Sequence, residues 1–276
     1  MNNPVRRPAP QLHQSLFLAG LALIWLSPLF WMLWRSFFSL TLGDPTSGSQ
    51  FTFDHYRLVL GDAGFPRFIF NSLLVLVIVV VGNLVSSVLT GYAFARYRFP
   101  LRNQLFALIM LMLMLPKQII AVPILDVMIQ LGLHDTLWAL SLPFCVDSFN
   151  IFLMRQYLRR LPTDLEDASR IDGASELGIL RHVIVPLCRP ALALVAINTA
   201  LVTWNAFLFP LILTDSASMR TLPVGLALLT QGPYATDWGT LMAGATVSSI
   251  PMLLLFLLFQ REIIEGLTEG ALRDQN

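Results

Sequence analysis

Six stretches of about 20 largely apolar residues decide what this chain can fold into. They lie at roughly 15–34, 67–90, 104–125, 137–157, 190–213 and 240–260 and are dominated by Leu, Val, Ile, Phe and Ala. At about 1.5 Å of rise per residue, a helix of this length crosses a hydrocarbon core of roughly 30 Å. The chain is 55% hydrophobic and only 13% charged, where an ordinary soluble domain has about 25% charged residues. A soluble fold is therefore excluded, and the reading is one helical membrane domain of six spans. The first stretch, LFLAGLALIWLSPLFWMLW, is too long for the apolar part of a cleaved signal and lacks a small-x-small site after it, so it reads as a retained span. The third is interrupted by Pro116, Lys117 and Pro123; prolines are tolerated in membrane helices where neighbours satisfy the freed backbone groups.

The basic residues orient the chain. Segments 1–14, 91–103, 155–189 and 261–276 carry thirteen Arg residues, against five Arg and Lys residues in the alternate set. Basic residues accumulate on the cytoplasmic side, so both termini are expected there. The organisation expected is a cytoplasmic N-terminal segment (1–14), a permeating domain (15–260) that includes a cytoplasmic segment (161–189), and a cytoplasmic tail (261–276). The segment at 39–66 is polar and turn-rich and reads as an external surface connection.

The cytoplasmic segment RQYLRRLPTDLEDASRIDGASELGILRHVIVPLCRP is charged but interleaved with apolar residues, so it is not a disordered linker. Pro162 ends the preceding helix, and Thr163 or Asp164 can cap a new one with Glu166 and Asp167 in its first turn. That helix is expected to end near Gly173, which permits positive φ, with a second short helix starting from Ala174, Ser175 and Glu176.

The stretch EDASRIDGASELGILRHVIVPLCRPAL resembles the "EAA" signature of the permease subunits of ABC importers: Glu166, Ala168, Asp172, Gly173, Ala174, Ile184 and Pro186 occupy its positions. Asp167 stands where the signature has its middle Ala, at a position expected to face solvent. FNSLLV, GYAFARYRFP, MLPKQIIAVPIL, WNAFLFPLIL and GLTEGALRD extend the resemblance in order along the chain, toward the carbohydrate-importing branch of maltose and glycerol-phosphate type. The resemblance implies an all-α integral membrane protein of the bacterial cytoplasmic membrane with type I importer architecture. It also implies a coupling helix around Glu166 to Gly173 seated on an ATPase dimer that binds ATP and Mg, a second permease subunit of related fold, and an external binding protein that delivers a sugar or sugar derivative. The bland alternative for this segment is an amphipathic helix lying on the bilayer. Four acidic residues between Asp164 and Asp172 make an anionic leaflet an unfavourable neighbour.

The rest of the sequence excludes much. Lys117 is the sole lysine and sits between Pro116 and Gln118, so the chain has no Gly-Lys-Ser/Thr phosphate loop and is not expected to be an enzyme. Cys145 and Cys188 support neither a disulfide framework nor a metal site, and His13, His55, His134 and His182 are scattered and read as surface or interfacial residues. Nothing in the charge points to nucleic acid; the expected solvent is membrane lipid. Polar groups within spans usually face a bundle interior. Asp147, Asn150, Asn198 and Asn205 are therefore candidates for lining a pathway or for joining helices, Asp147 and Asn150 being about one turn apart, and Lys117 a candidate for snorkelling to the outer interface. Two competing readings are a secondary transporter or channel that works without ATP, which would commonly show internal repeats absent here, and a membrane scaffold or sensor.

Overall fold

The computed structural model describes residues 12–39, 50–61, 64–229 and 237–271, with side chains from 15 to 260 within those ranges. Residues 1–11 of the expected N-terminal segment, 40–49 of the external connection and 272–276 of the tail lie outside the described residues. In chain order the elements are α1 (Leu12–Arg35), β1 (Phe38–Ser39), β2 (Gln50–Phe51), α2 (Asp54–Gly61), α3 (Phe65–Arg96), α4 (Arg102–Met114), α5 (Ala121–Gln130), α6 (Leu137–Ser141), α7 (Ser148–Leu158), α8 (Asp164–Ile171), α9 (Glu176–Ile179), α10 (Val185–Leu187), α11 (Arg189–Trp204), α12 (Leu208–Leu213), α13 (Leu222–Leu228) and α14 (Trp238–Ala271). They divide into two compact units, residues 1–63 with 228–247, and residues 64–227 with 248–276.

Four described helices are long and apolar enough to cross a membrane, and six spans result if each of two bent pairs counts as one. Three of the expected spans are not continuous helices. The third breaks by 98° between α4 and a 3₁₀ turn at Lys117–Ile120 that leads into α5. Pro116, with its missing amide and fixed φ, sits in that break. The fourth is α6, a 3₁₀ turn at Leu142–Phe144 containing Pro143, and α7. The fifth ends α11 at Trp204 and restarts as α12 at Leu208. The sixth, α14, continues as helix to Ala271 through most of the segment expected to be a tail.

In the first unit, the expected plain connection contains structure. β1 pairs antiparallel with β2, Phe38 opposite Phe51, and Phe37 stacks on Phe51 and tilts against Tyr56. His55, expected at the surface or at an interface, is buried within this unit: its Nδ1 lies 3.2 Å from Thr240 Oγ1 and 3.3 Å from Asp237 Oδ2.

The second unit is organised around α3, a helix of 32 residues. Gly82 and Gly91 let it approach the fourth span closely, since a Cβ on Gly82 would lie 2.6 Å from Cys145 Cβ and one on Gly91 would lie 2.9 Å from Met154 Cβ. At one end of α3, Val88 and Tyr92 join Met154, Leu158, Ile179, Ile184, Cys188, Ala191 and Val195 in a buried cluster. At the other, Val75 and Val79 pack with Met128, Ala139, Leu140 and Leu213. These two clusters fix both ends of α3 against the spans that carry the site residues.

Candidate functional site

The Glu166–Ala174 segment is built as a helix, a tight turn and a second helix. α8 carries Asp164, Glu166 and Asp167 in its first turn, where the positive end of the helix dipole favours them. Thr163 occupies the N-cap position, but its side chain makes no cap bond. The chain reverses at Gly173, whose φ is +82°, with Gly173 N–H donating to Arg170 O and Ala174 N–H to Ser169 O. Ser175 then caps α9 by accepting from Gly178 N–H. The expected helix, turn and helix are therefore present, with the positive-φ glycine at the turn.

Its outward surface is mixed. Ala168, Asp172, Gly173 and Ala174 are exposed, as are the apolar Leu165, Ile171 and Leu177, of which Ile171 is 86% exposed. Ser169, Asp172, Ala174, Ser175, Gly178 and His182 line a shallow depression beside the turn. Asp167 faces solvent as expected.

Glu166 does not face outward. Its side chain is 2% exposed, accepting from Arg96 Nε at 2.7 Å and from Tyr92 O–H at 3.1 Å. Arg96 also donates to Leu161 O at 3.0 Å, so one guanidinium at the C-terminal end of α3 holds both the start of the segment and its buried carboxylate. A second layer surrounds the first. Arg170 bonds Asp167 and both carboxylate oxygens of Glu176, and Tyr97 O–H donates to Glu176 Oε2 at 2.8 Å. The Glu176 hydrogen bond holds the Arg170 guanidinium more firmly protonated than usual and pushes the Tyr97 phenol above its ordinary range. Glu166 thus finds its basic partner within the chain.

Downstream, residues Leu180–Ile184 form a π turn. A π turn places residues five apart on one face. Ile179 and Ile184 are accordingly both buried in the cluster with Cys188. Pro186 is exposed at α10, and the chain bends by 78° into α11.

The intramembrane candidates separate into two groups. Asn150 is 1% exposed; its Nδ2 donates to Asn83 Oδ1 and Thr199 Oγ1, both at 2.9 Å, while its Oδ1 accepts from Asn198 at 3.2 Å. Asn83 in turn donates to Val79 O and Phe144 O. Asn150 and Asn198 therefore tie α3, α7 and α11 together. Sequence reasoning missed Asn83, although its setting between Gly82 and Ser86 in an otherwise apolar span signals a helix contact. Asp147 caps α7 instead of lying inside a helix: Oδ1 accepts from Phe149 N–H at 2.9 Å, and Oδ2 is 2.6 Å from Lys117 Nζ. It does not join Asn150, and Lys117 does not stand alone as a snorkelling cation. Asn205 is exposed at the end of α11 and donates to Leu201 O, apart from Asn198. Among the described residues no group of His, Cys, Asp and Glu is arranged to hold a metal.

A helical membrane domain with broken spans and an exposed segment braced on α3 is the architecture of a multi-pass membrane transport component. The chain belongs to the family of binding-protein-dependent transport system inner membrane components, whose model matches residues 87–267. It is 40% identical over 226 residues to the arabinooligosaccharides transport system permease protein AraQ of Halalkalibacterium halodurans, covering 82% of this chain and 81% of that one. It is 34% identical over 207 residues to the sn-glycerol-3-phosphate transport system permease protein UgpE of Pectobacterium atrosepticum, covering 75% and 74%. Among solved structures, a chain of a bacterial ABC transporter involved in the import of the acidic polysaccharide alginate aligns with a TM-score of 0.77 at 26% identity, covering 94% of this chain and 99% of that one.

Proposed function

We propose that this chain is one of two permease subunits of an ATP-driven importer for a sugar or sugar derivative, and that Glu166–Ala174 is its coupling segment. The observation that carries this reading is the bracing of an exposed helix-turn-helix by the Arg96–Glu166 pair onto α3. A force applied to exposed Ala168, Asp172, Gly173 and Ala174 reaches the 32-residue helix through a buried ion pair rather than through a flexible loop. Ile184 and Pro186 act by anchoring and by turning the chain into α11, not by touching a partner through Ile184, which is buried. ATP and Mg belong to a dimer of separate ATPase subunits in this reading. A second permease of related fold completes the pathway, and an external binding protein delivers cargo. The thirteen basic residues support a cytoplasmic location for both termini and the coupling segment. The names of the relatives, which include arabinooligosaccharide and glycerol-phosphate systems, support a carbohydrate cargo.

Gly173→Val tests the mechanism. No neighbour lies within 4 Å of a Cβ built at Gly173. Strain at its φ of +82° is thus the sole cost within the chain, roughly 1–2 kcal/mol for an L-residue in the left-handed region. The variant is expected to insert in the membrane and to lose ATPase co-purification or ATP-dependent uptake in proteoliposomes by at least tenfold. Wild-type co-purification, ATP hydrolysis and uptake together would remove this segment from the mechanism. Uptake driven by an ion gradient with no ATPase bound would favour a secondary transporter.

A further inference from the structure

The Lys117–Asp147 pair differs from the asparagine network that ties α3, α7 and α11 together. The Asn83–Asn150–Asn198–Thr199 network is buried or partly buried, with Asn83 and Asn150 each 1% exposed. The Lys117 side chain is instead 56% exposed, and that of Asp147 20%, although their charged atoms are 2.6 Å apart. Both lie at helix breaks. Lys117 opens the 3₁₀ turn that follows α4, and Asp147 is the N-cap of α7.

The depth of the two breaks is similar. α4 runs 13 residues from Arg102, and α7 runs 11 residues to Leu158, just before Arg159 and Arg160. At about 1.5 Å per residue these are roughly 20 Å and 16 Å from the basic ends of the two helices. A hydrocarbon core of about 30 Å has its centre near 15 Å, so the pair sits close to the midplane. Discontinuous helices whose ends meet at that depth are where transporters form substrate sites. A charge there that faced lipid would be strongly disfavoured, and irregular backbone at that depth is tolerated when buried in protein or lining a water-filled cavity.

The chemistry names the cargo group. Asp147 Oδ1 is committed to the α7 amide of Phe149, and Oδ2 to one proton of Lys117. Among the described residues Lys117 makes no other hydrogen bond, which leaves two ammonium protons on a half-exposed side chain beside a carboxylate lone pair. The pair has no net charge, and it offers a donor and an acceptor side by side. That is the complement of two adjacent hydroxyls, one accepting from the ammonium and one donating to the carboxylate. An anionic sugar would gain from Lys117 but be opposed by Asp147. Resting on the permease reading above, we propose that Lys117 and Asp147 form a cargo-contacting site on the translocation path that binds a vicinal diol of a neutral carbohydrate.

The test uses the complete complex with its binding protein, reconstituted in proteoliposomes. Three labelled probes are supplied: neutral arabinotriose, an acidic uronate trisaccharide and glycerol 3-phosphate. Lys117→Met and Asp147→Asn are each expected to raise the transport KM for the neutral probe at least tenfold. Asp147→Asn is further expected to improve use of the acidic trisaccharide relative to the neutral one. In the assembled complex, Lys117→Cys should react with a membrane-impermeant charged thiol reagent above the wild-type background set by Cys145 and Cys188. A lowered Tm with unchanged KM makes the pair a tie between helices and overturns the proposal. So does an unreactive Lys117→Cys, which would place the residue against the second subunit or lipid. If the wild-type complex shows no ATP-dependent uptake of any probe, the importer reading loses its support, and the thiol reaction still decides whether this site opens on water.

Discussion

Glu166 illustrates how one side chain's direction alters its meaning. With its carboxylate 2% exposed and paired to Arg96, which is itself 11% exposed, removal of either partner leaves a buried charge. Glu166→Ala is therefore expected to cost about 3–5 kcal/mol, far more than a surface pair would. Replacing both residues with apolar ones, Arg96→Met with Glu166→Met, is expected to recover much of that stability, because no lone charge remains. If the pair is a mechanical brace, the double variant should fold with nearly wild-type Tm yet hydrolyse ATP without matching uptake. Paired thermal melts and uptake assays check this, and full coupling in the double variant would reduce Glu166 to a packing residue. The sequence pointed to Glu166 but not to where it faces, because Tyr92 and Arg96 are 74 and 70 residues away and belong to a different span.

At the scale of elements, the close approach of α3 and α7 makes the firmest prediction. A Cβ at Gly91 would meet Met154 Cβ and Cγ at 2.9 Å and Arg155 N at 3.2 Å, so Gly91→Val must push the helices apart. Overpacking of this kind typically costs about 1–3 kcal/mol, and a lowered Tm with Gly91→Ala between wild type and Gly91→Val is the expected order. The spans themselves were legible because hydrocarbon demands about 20 apolar residues in succession, whatever the neighbours do. Their breaks were not. Pro116 and Pro143 interrupt two of them, but prolines also occur within α1 and α14, where the helix continues through Pro28 and Pro251. The outcome at each proline depends on which groups from other helices satisfy the freed backbone. That is tertiary information, and it is also why Asp147 proved to be a cap and Asn150 a tie, although the two stand three residues apart.

For the whole molecule, the distribution of basic residues predicts sidedness. Thr52→Cys, in the ribbon-and-helix segment before α3, should react with an impermeant reagent applied to intact cells, and Ser175→Cys only after the membrane is opened. Reaction at Ser175→Cys from outside would defeat the cytoplasmic placement of the coupling segment. Between Ser175 and the fifth span lies the π turn at Leu180–Ile184, and it has a genetic consequence. A π turn carries one more residue than the regular turn it replaces. Deleting one codon there would remove that extra residue and let the chain close an ordinary helical turn, so each residue beyond it keeps its face. Cys188, Ala191, Val195 and Asn198 would then still face α3 and α7. In a mutational scan, substitutions at exposed Arg181 and His182 should be well tolerated, and a single-codon deletion within the π turn should be tolerated far better than one inside α11, where the same loss turns every later residue by about 100°.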